Sequence, residues 1–156
     1  MKRPITGFDI DDQGDWVALL NCGHRQHVRH RPPFTNRPWV TSEEGRKGRL
    51  GETLNCVRCD RFELPLHFIP YKKTTVFTEK SLPESLKNDH ANKPGVWAKI
   101  IVMEGKLLYR VASLNVEIAL APNLPGIVMP EALHCVAPLG TVRFFLEFYR
   151  SPKQID

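Results

Sequence analysis

No stretch of this sequence approaches the roughly 18 consecutive apolar residues that a membrane-crossing helix needs, so no membrane partner is expected. The first residues also lack the apolar centre of a secretory signal: Lys2 and Arg3 are followed by Asp9, Asp11 and Asp12. The expected location is therefore cytoplasmic. Cysteine is scarce, with four in 156 residues, and three of them fall before residue 60. In a reducing compartment such a set does not build a disulfide framework, and clustered Cys and His instead point to metal. Acidic side chains are missing between Trp16 and Ser42, while Arg25, Arg29, Arg31 and Arg37 share that span with His24, His27 and His30. Internal repeats, low-complexity tracts and a glycine-rich cofactor loop are all lacking, which removes solenoid, disordered-tail and nucleotide-cofactor readings.

What is present is the composition of a soluble globular chain, 42% hydrophobic and 25% charged, with a net charge of +5. Alternating residues from Ile5 to Ile10, a turn at Asp11 to Gly14 and the apolar run Asp15 to Asn21 predict a hairpin that ends at Cys22. From there to Glu52 the periodicity fails among Pro32, Pro33, Pro38, Gly45, Gly48 and Gly51. So long a stretch without a core needs something to tie it down, and a metal ion would do so. Beyond Cys59 the character changes. A short helix is expected over Ser81 to Lys87, from its Ser cap and Pro83 in the first turn. Strands are expected over 96–103, 106–111, 116–121, 127–129 and 142–149, separated at Glu104-Gly105, at residues 123–126 and at residues 138–140. Many short strands with regular turn signals predict a sandwich or barrel.

Two groups of residues carry chemistry. Cys22-Gly-His24 and Cys56-Val-Arg-Cys59 form a C-x-H and C-x-x-C pair about thirty residues apart. Cys22, His24, Cys56 and Cys59 would complete a tetrahedral Cys3His zinc site, structural because four protein ligands leave no position for water. His27 and His30 compete with His24 for the imidazole place. Arg25, Arg29 and Arg31, with Phe34 and Trp39 nearby, form a candidate anion-binding surface that would contact phosphates and stack on bases. In the second half, His90, His134 and Glu147 are candidate ligands of a first-row divalent metal inside a small barrel. Glu147 enters because a carboxylate within the apolar run 144–149 needs a partner if buried. Cys135 is expected to be a small core residue.

The run Cys22-Gly-His-Arg-Gln-His-Val-Arg-His-Arg-Pro-Pro33, with Arg37-Pro-Trp-Val40, Gly45-Arg46 and Cys56-Val-Arg-Cys-Asp-Arg61, resembles a small bacterial family of uncharacterised domains over residues 6 to 62. That resemblance supports a domain with Cys/His ligands and implies no activity. Residues 65 to 150 resemble the TehB/YeaR-like domain, a cupin family, through Pro70-Tyr-Lys-Lys-Thr74, Val76-Phe77, His90, Gly95-Val-Trp97, Glu104-Gly105, Pro130 to His134 and Phe144 to Arg150. It implies a double-stranded β-helix, a fold often metal-bound in the wider superfamily, and an association with tellurite or nitrogen-oxide stress. The chain departs from the general cupin pattern, reading His90-Ala-Asn92 where two histidines stand in H-x-H, with Ala98 at the later Glu position. The methyltransferase domain of long TehB proteins has no counterpart here.

The expectation is thus a mainly β protein: a Cys/His zinc-binding module over residues 1–63, built on a hairpin and loops, followed by a cupin-type barrel over 64–156. The barrel would take a small-molecule ligand, and family analogy implies a homodimer. The competing expectation is a regulator or adaptor whose arginine-rich zinc module binds nucleic acid while the cupin senses a ligand.

Overall fold

In the computed structural model, which describes residues 1–154, the backbone is mainly β and divides into two units, Met1–Arg61 and Phe62–Asp156. Among the described residues no helix is long and apolar enough to cross a membrane.

Unit 1 is built on a four-stranded sheet. Strand β1 (Lys2–Ile10) pairs with β2 (Trp16–Leu20) in the hairpin that the alternation and the Asp11–Gly14 turn predict. Strand β3 (Arg25–His27) adds beside β2 and β4 (Thr53–Asn55) beside β1, giving the order β3-β2-β1-β4. Ile5, Val17, Ala18, Leu20, Val28 and Val40 form the apolar core. The stretch between β3 and β4 is anchored by more than the Cys/His group. A 3₁₀ turn (Pro38–Thr41) buries Val40 and leads into helix α1 (Glu43–Lys47), capped by the Ser42 hydroxyl accepting from Gly45 N–H at 3.0 Å. Arg46 stacks over Trp16 at 3.7 Å and donates to the Val40 carbonyl at 2.8 Å. Arg49 lies 5.1 Å over Trp39, whose ring meets Phe8 at 5.9 Å. The segment therefore borrows a core from the hairpin through planar guanidinium groups laid on indole rings.

Unit 2 is dominated by two long antiparallel strands. The predicted breaks at Glu104-Gly105 and at 138–140 are not turns. One strand, β7 (Trp97–Val111), runs through the first, and another, β10 (His134–Arg150), runs through the second. They pair from Val111↔His134 to Trp97↔Tyr149, with register shifts between Pro138 and Val142 and between Arg143 and Phe144. Gly105 (φ 78°) and Gly140 (φ 84°) supply the left-handed backbone that these irregularities need. The turn chemistry that looked like two hairpins is a bulged region inside one ladder. Around this pair stand β5 (Ile69–Lys73) and β6 (Phe77–Thr78) on β10, and β8 (Val116–Leu120) and β9 (Gly126–Val128) on β7. The expected helix is a single turn, α3 (Glu84–Lys87), which follows the one-turn helix α2 (Val57–Asp60) of unit 1. Trp97, Ile100, Leu107, Tyr109, Leu120, Met129 and Phe144 are the large side chains of the interior.

Candidate metal centre and ligand cavity

Because β1 is antiparallel to both β2 and β4, those two strands run the same way and leave the sheet at one end. Cys22 lies just beyond β2, in a turn where Gly23 (φ 94°) donates to the Leu20 carbonyl at 2.9 Å and Leu20 N–H donates to the His24 carbonyl at 3.0 Å. Cys56 lies just beyond β4, its N–H donating to the Met1 carbonyl at 2.7 Å, and it opens α2, which carries Cys59 one turn later. Two knuckles thus face each other from one sheet edge.

All four side chains are buried, and their ligand atoms lie within 4.8 Å of one another. His24 Nδ1 is 3.4 Å from Cys22 Sγ, 3.3 Å from Cys56 Sγ and 3.7 Å from Cys59 Sγ, and the Cys22 and Cys56 sulfurs are 3.9 Å apart. A tetrahedral ion with S and N bonds of about 2.3 and 2.0 Å places sulfurs ~3.8 Å apart and each sulfur ~3.5 Å from the nitrogen. These four edges match the tetrahedral values before any ion is considered, so the cluster could hold a metal. Its electrostatics favour a cation. Burial works to lower the pKa of His24, yet Cys56 and Cys59 outweigh it and raise the imidazole to about 9. Hydrogen bonds from Cys22 and Cys59 push the Cys56 thiol far below its usual range, and bonds with Cys56 and Cys59 push Cys22 up. Three sulfurs and an imidazole nitrogen around one point, with Cys56 driven toward thiolate, are a donor set for a soft or borderline ion.

The other two histidines are engaged elsewhere. His27 Nε2 contacts Asp11 at 2.8 Å on the surface, and His30 Nδ1 accepts from Arg37 N–H at 3.0 Å. The arginines singled out for anion binding also have partners. Arg25 pairs with Asp9 at 3.1 Å, and Arg29 and Arg31 pair with Asp15 at 2.9 and 3.6 Å. Much of the cationic charge of that stretch is balanced by aspartates of the β1–β2 hairpin, which a search for like-charge runs does not register.

In unit 2 the structure brings His90 and His134 together and leaves Glu147 apart. His90 and His134 exchange both backbone hydrogen bonds, at 3.0 and 2.9 Å, which sets their side chains on one face. Their ring centroids are 4.1 Å apart. Each Nδ1 donates to the carbonyl two residues back, Asn88 at 3.0 Å and Ala132 at 2.9 Å, so in the neutral rings Nε2 is the acceptor. Burial pushes His134 down to about 4, with His90 adding to the shift. Both histidines and Asn92 line a cavity of about 100 Å³ walled by Ala98 and Ile100 of β7, Val128 of β9, and Val136, Phe144 and Phe148 of β10. Glu147 is not among its lining residues. Its carboxylate accepts from the Tyr149 hydroxyl and lies 3.7 Å from Lys73, while its neighbours Leu146 and Phe148 line the cavity. Cys135 is half-buried and lies outside the core, in a shallow depression with Asp89, Arg110 and Glu117.

Two family models match the chain in order: a protein of unknown function (DUF3565) over residues 6–63, and a TehB-like domain over residues 72–146. A search of curated proteins finds no match. Among solved structures, TehB from Haemophilus influenzae is similar at 30% identity and a TM-score of 0.52, over 55% of this chain and 32% of that one. A protein from E. coli strain K12 is similar at 19% identity and a TM-score of 0.54, over 60% of this chain and 92% of that one. The second likeness concerns the fold alone. The chain spans about a third of the length of the Haemophilus protein.

Proposed function

We propose that the chain is a two-module metal-binding protein in which unit 1 is a structural zinc module and unit 2 a cupin-type, TehB-like domain that receives a small ligand. Its setting on this reading is the response to tellurite or nitrogen-oxide stress, with which the TehB-like family is associated. The observation that carries the reading is the geometry of the Cys22, His24, Cys56 and Cys59 cluster, with four edges of 3.3 to 3.9 Å and all ligand atoms within 4.8 Å of one another, in a buried site. A Cys3His set favours zinc over harder ions, and with every tetrahedral position taken by protein the ion serves the fold instead of activating water. For unit 2 the support is the TehB-like match, the paired strands β7 and β10, and the cavity lined from both halves of that pair, by His134 and Val136 from one and by Ala98, Ile100, Phe144 and Phe148 from the other. A nucleic-acid role for unit 1 has less support, since Arg25, Arg29 and Arg31 each face an aspartate.

The test is elemental mass spectrometry of protein purified without added metal or chelator. Close to one zinc per chain is expected, and Cys56→Ser is expected to lose it. Iron or copper in place of zinc, or a full zinc content in Cys56→Ser, would overturn the reading of unit 1.

A further inference from the structure

The cavity of unit 2 has a composition that selects among ligands. Its walls are aliphatic and aromatic, and its only polar lining groups are His90, His134 and Asn92. Among the described residues no Lys, Arg, Asp or Glu lines it. A buried anion would find no cation there and few donors, at a desolvation cost that nothing offsets. A metal ion would find two imidazoles and the neutral amide of Asn92 but no carboxylate or thiolate, because Glu147 is held by Tyr149 and Lys73 away from the cavity. Among the described residues the one group of three or more metal-ligating side chains is the cluster of unit 1.

What the cavity does offer is acceptors. Both Nδ1 atoms are committed to backbone carbonyls, so the two rings are held in one tautomer and orientation, and neither Nε2 has a hydrogen-bond partner among the described residues. His134 is 4% exposed, so its Nε2 sits in a medium of low dielectric where a donated hydrogen bond is strong and a missing one is expensive. Size narrows the ligand further. The cavity, at about 100 Å³, is smaller than the ~150 Å³ dry cavity that accepts benzene in another protein, but it is partly open, so a single six-membered ring would fill it and extend into its mouth, and nothing larger would be enclosed.

We propose that this cavity binds a small uncharged molecule of the phenol type, its ring against Ile100, Val136 and Phe144 and its hydroxyl donating to Nε2 of His90 or His134. The inference rests on the reading of unit 2 as a ligand-binding domain and is independent of zinc in unit 1. It goes beyond that reading by excluding anions and metal ions as the occupant.

Phenol, benzene and benzoate, each titrated into the full chain and followed by backbone amide NMR shifts and calorimetry, test it. Phenol is expected to saturate one site that perturbs Ala98 and Val136, benzene to bind roughly tenfold more weakly for want of the hydrogen bond, and benzoate not to bind. Ala98→Leu, which fills the cavity, abolishes both responses. The advantage of phenol over benzene is lost in His134→Leu if that ring accepts the hydroxyl and in His90→Leu, at a half-buried position outside the long strands, if the other does; its survival in both variants overturns the proposal. Benzoate binding as well as phenol, or benzene as tightly as phenol, overturns the proposal while leaving unit 2 a ligand-binding domain. Binding of none of the three overturns both. A co-purified metal that His134→Leu loses and Cys56→Ser retains overturns it in favour of a metal site.

Discussion

His24, His27 and His30 stand three residues apart in the chain, and only the first has a ring nitrogen among the cysteines. The order of the turn decides this: the two residues after Cys22 fold back on Leu20, which carries His24 inward, while β3 then turns His27 toward Asp11. His24→Ala is expected to abolish zinc retention, whereas His27→Ala and His30→Ala keep one equivalent, as metal analysis of the three purified variants would show. The Cys22, Cys56 and Cys59 spacing was legible in the sequence because a C-x-x-C knuckle constrains its own geometry. The choice of histidine was not, since it depends on a turn of positive φ at Gly23. Glu147 illustrates a different obstacle. With the strand read as broken at 138–140, its alternation relative to His134 could not be followed, and an apolar surrounding looked like a reason to recruit it. His134 also sets a pH dependence. Its ordinary value of 6.5 falls to about 4 on burial, so the folded state favours the neutral ring. The sign follows: that contribution is fully present above pH 6.5 and is lost as pH falls from 6.5 toward 4. Its size is about 3 kcal/mol for a shift of this order. Urea denaturation of unit 2 at pH 7.5 and pH 4.5 should show this loss, and in His134→Leu the part of the pH dependence that His134 causes should vanish; an unchanged profile in the variant would assign it to other groups.

At the scale of elements, the β7–β10 ladder depends on Gly105. A Cβ there would lie 2.0 Å from the Thr141 carbonyl oxygen, and the backbone sits at φ 78°. Neither partner can give way, because both belong to the same bulged ladder. Gly105→Ala is therefore expected to destabilise unit 2 by roughly 2–4 kcal/mol, the sum of left-handed strain and a backbone clash. A melting temperature within a degree of the parent would refute the account. Glycine signals at 104–105 and 138–140 were visible in the sequence, but a turn and a bulge use the same residue types, and only the partner strand tells them apart. The loop between β3 and β4 had a similar ambiguity. Its lack of periodicity suggested that metal alone held it, whereas Arg46 on Trp16 and Arg49 on Trp39 also do so. Those contacts join residues far apart in sequence, and no local pattern announces them.

For the whole molecule, the change of character after Cys59 was the clearest sequence signal, and the two units and two family matches follow one another along the chain. Because the expected zinc belongs to unit 1 alone, chelation should loosen that unit first. Proteolysis of the full chain with and without a strong chelator, read by fragment mass, is expected to give early cuts within residues 1–61 and a resistant fragment from unit 2. Equally early cuts after residue 62 would contradict it. Strand β10 has a consequence for how the protein comes into being. It supplies the hydrogen-bond partner of β5, β6 and the length of β7, yet it is synthesised after all three. Unit 1 can close on the ribosome as soon as Cys59 emerges, while the strands of unit 2 wait with open edges for on the order of ten seconds of translation. The birth of this protein is therefore staggered, with an early half ready for the ion proposed here and a late half that needs protection.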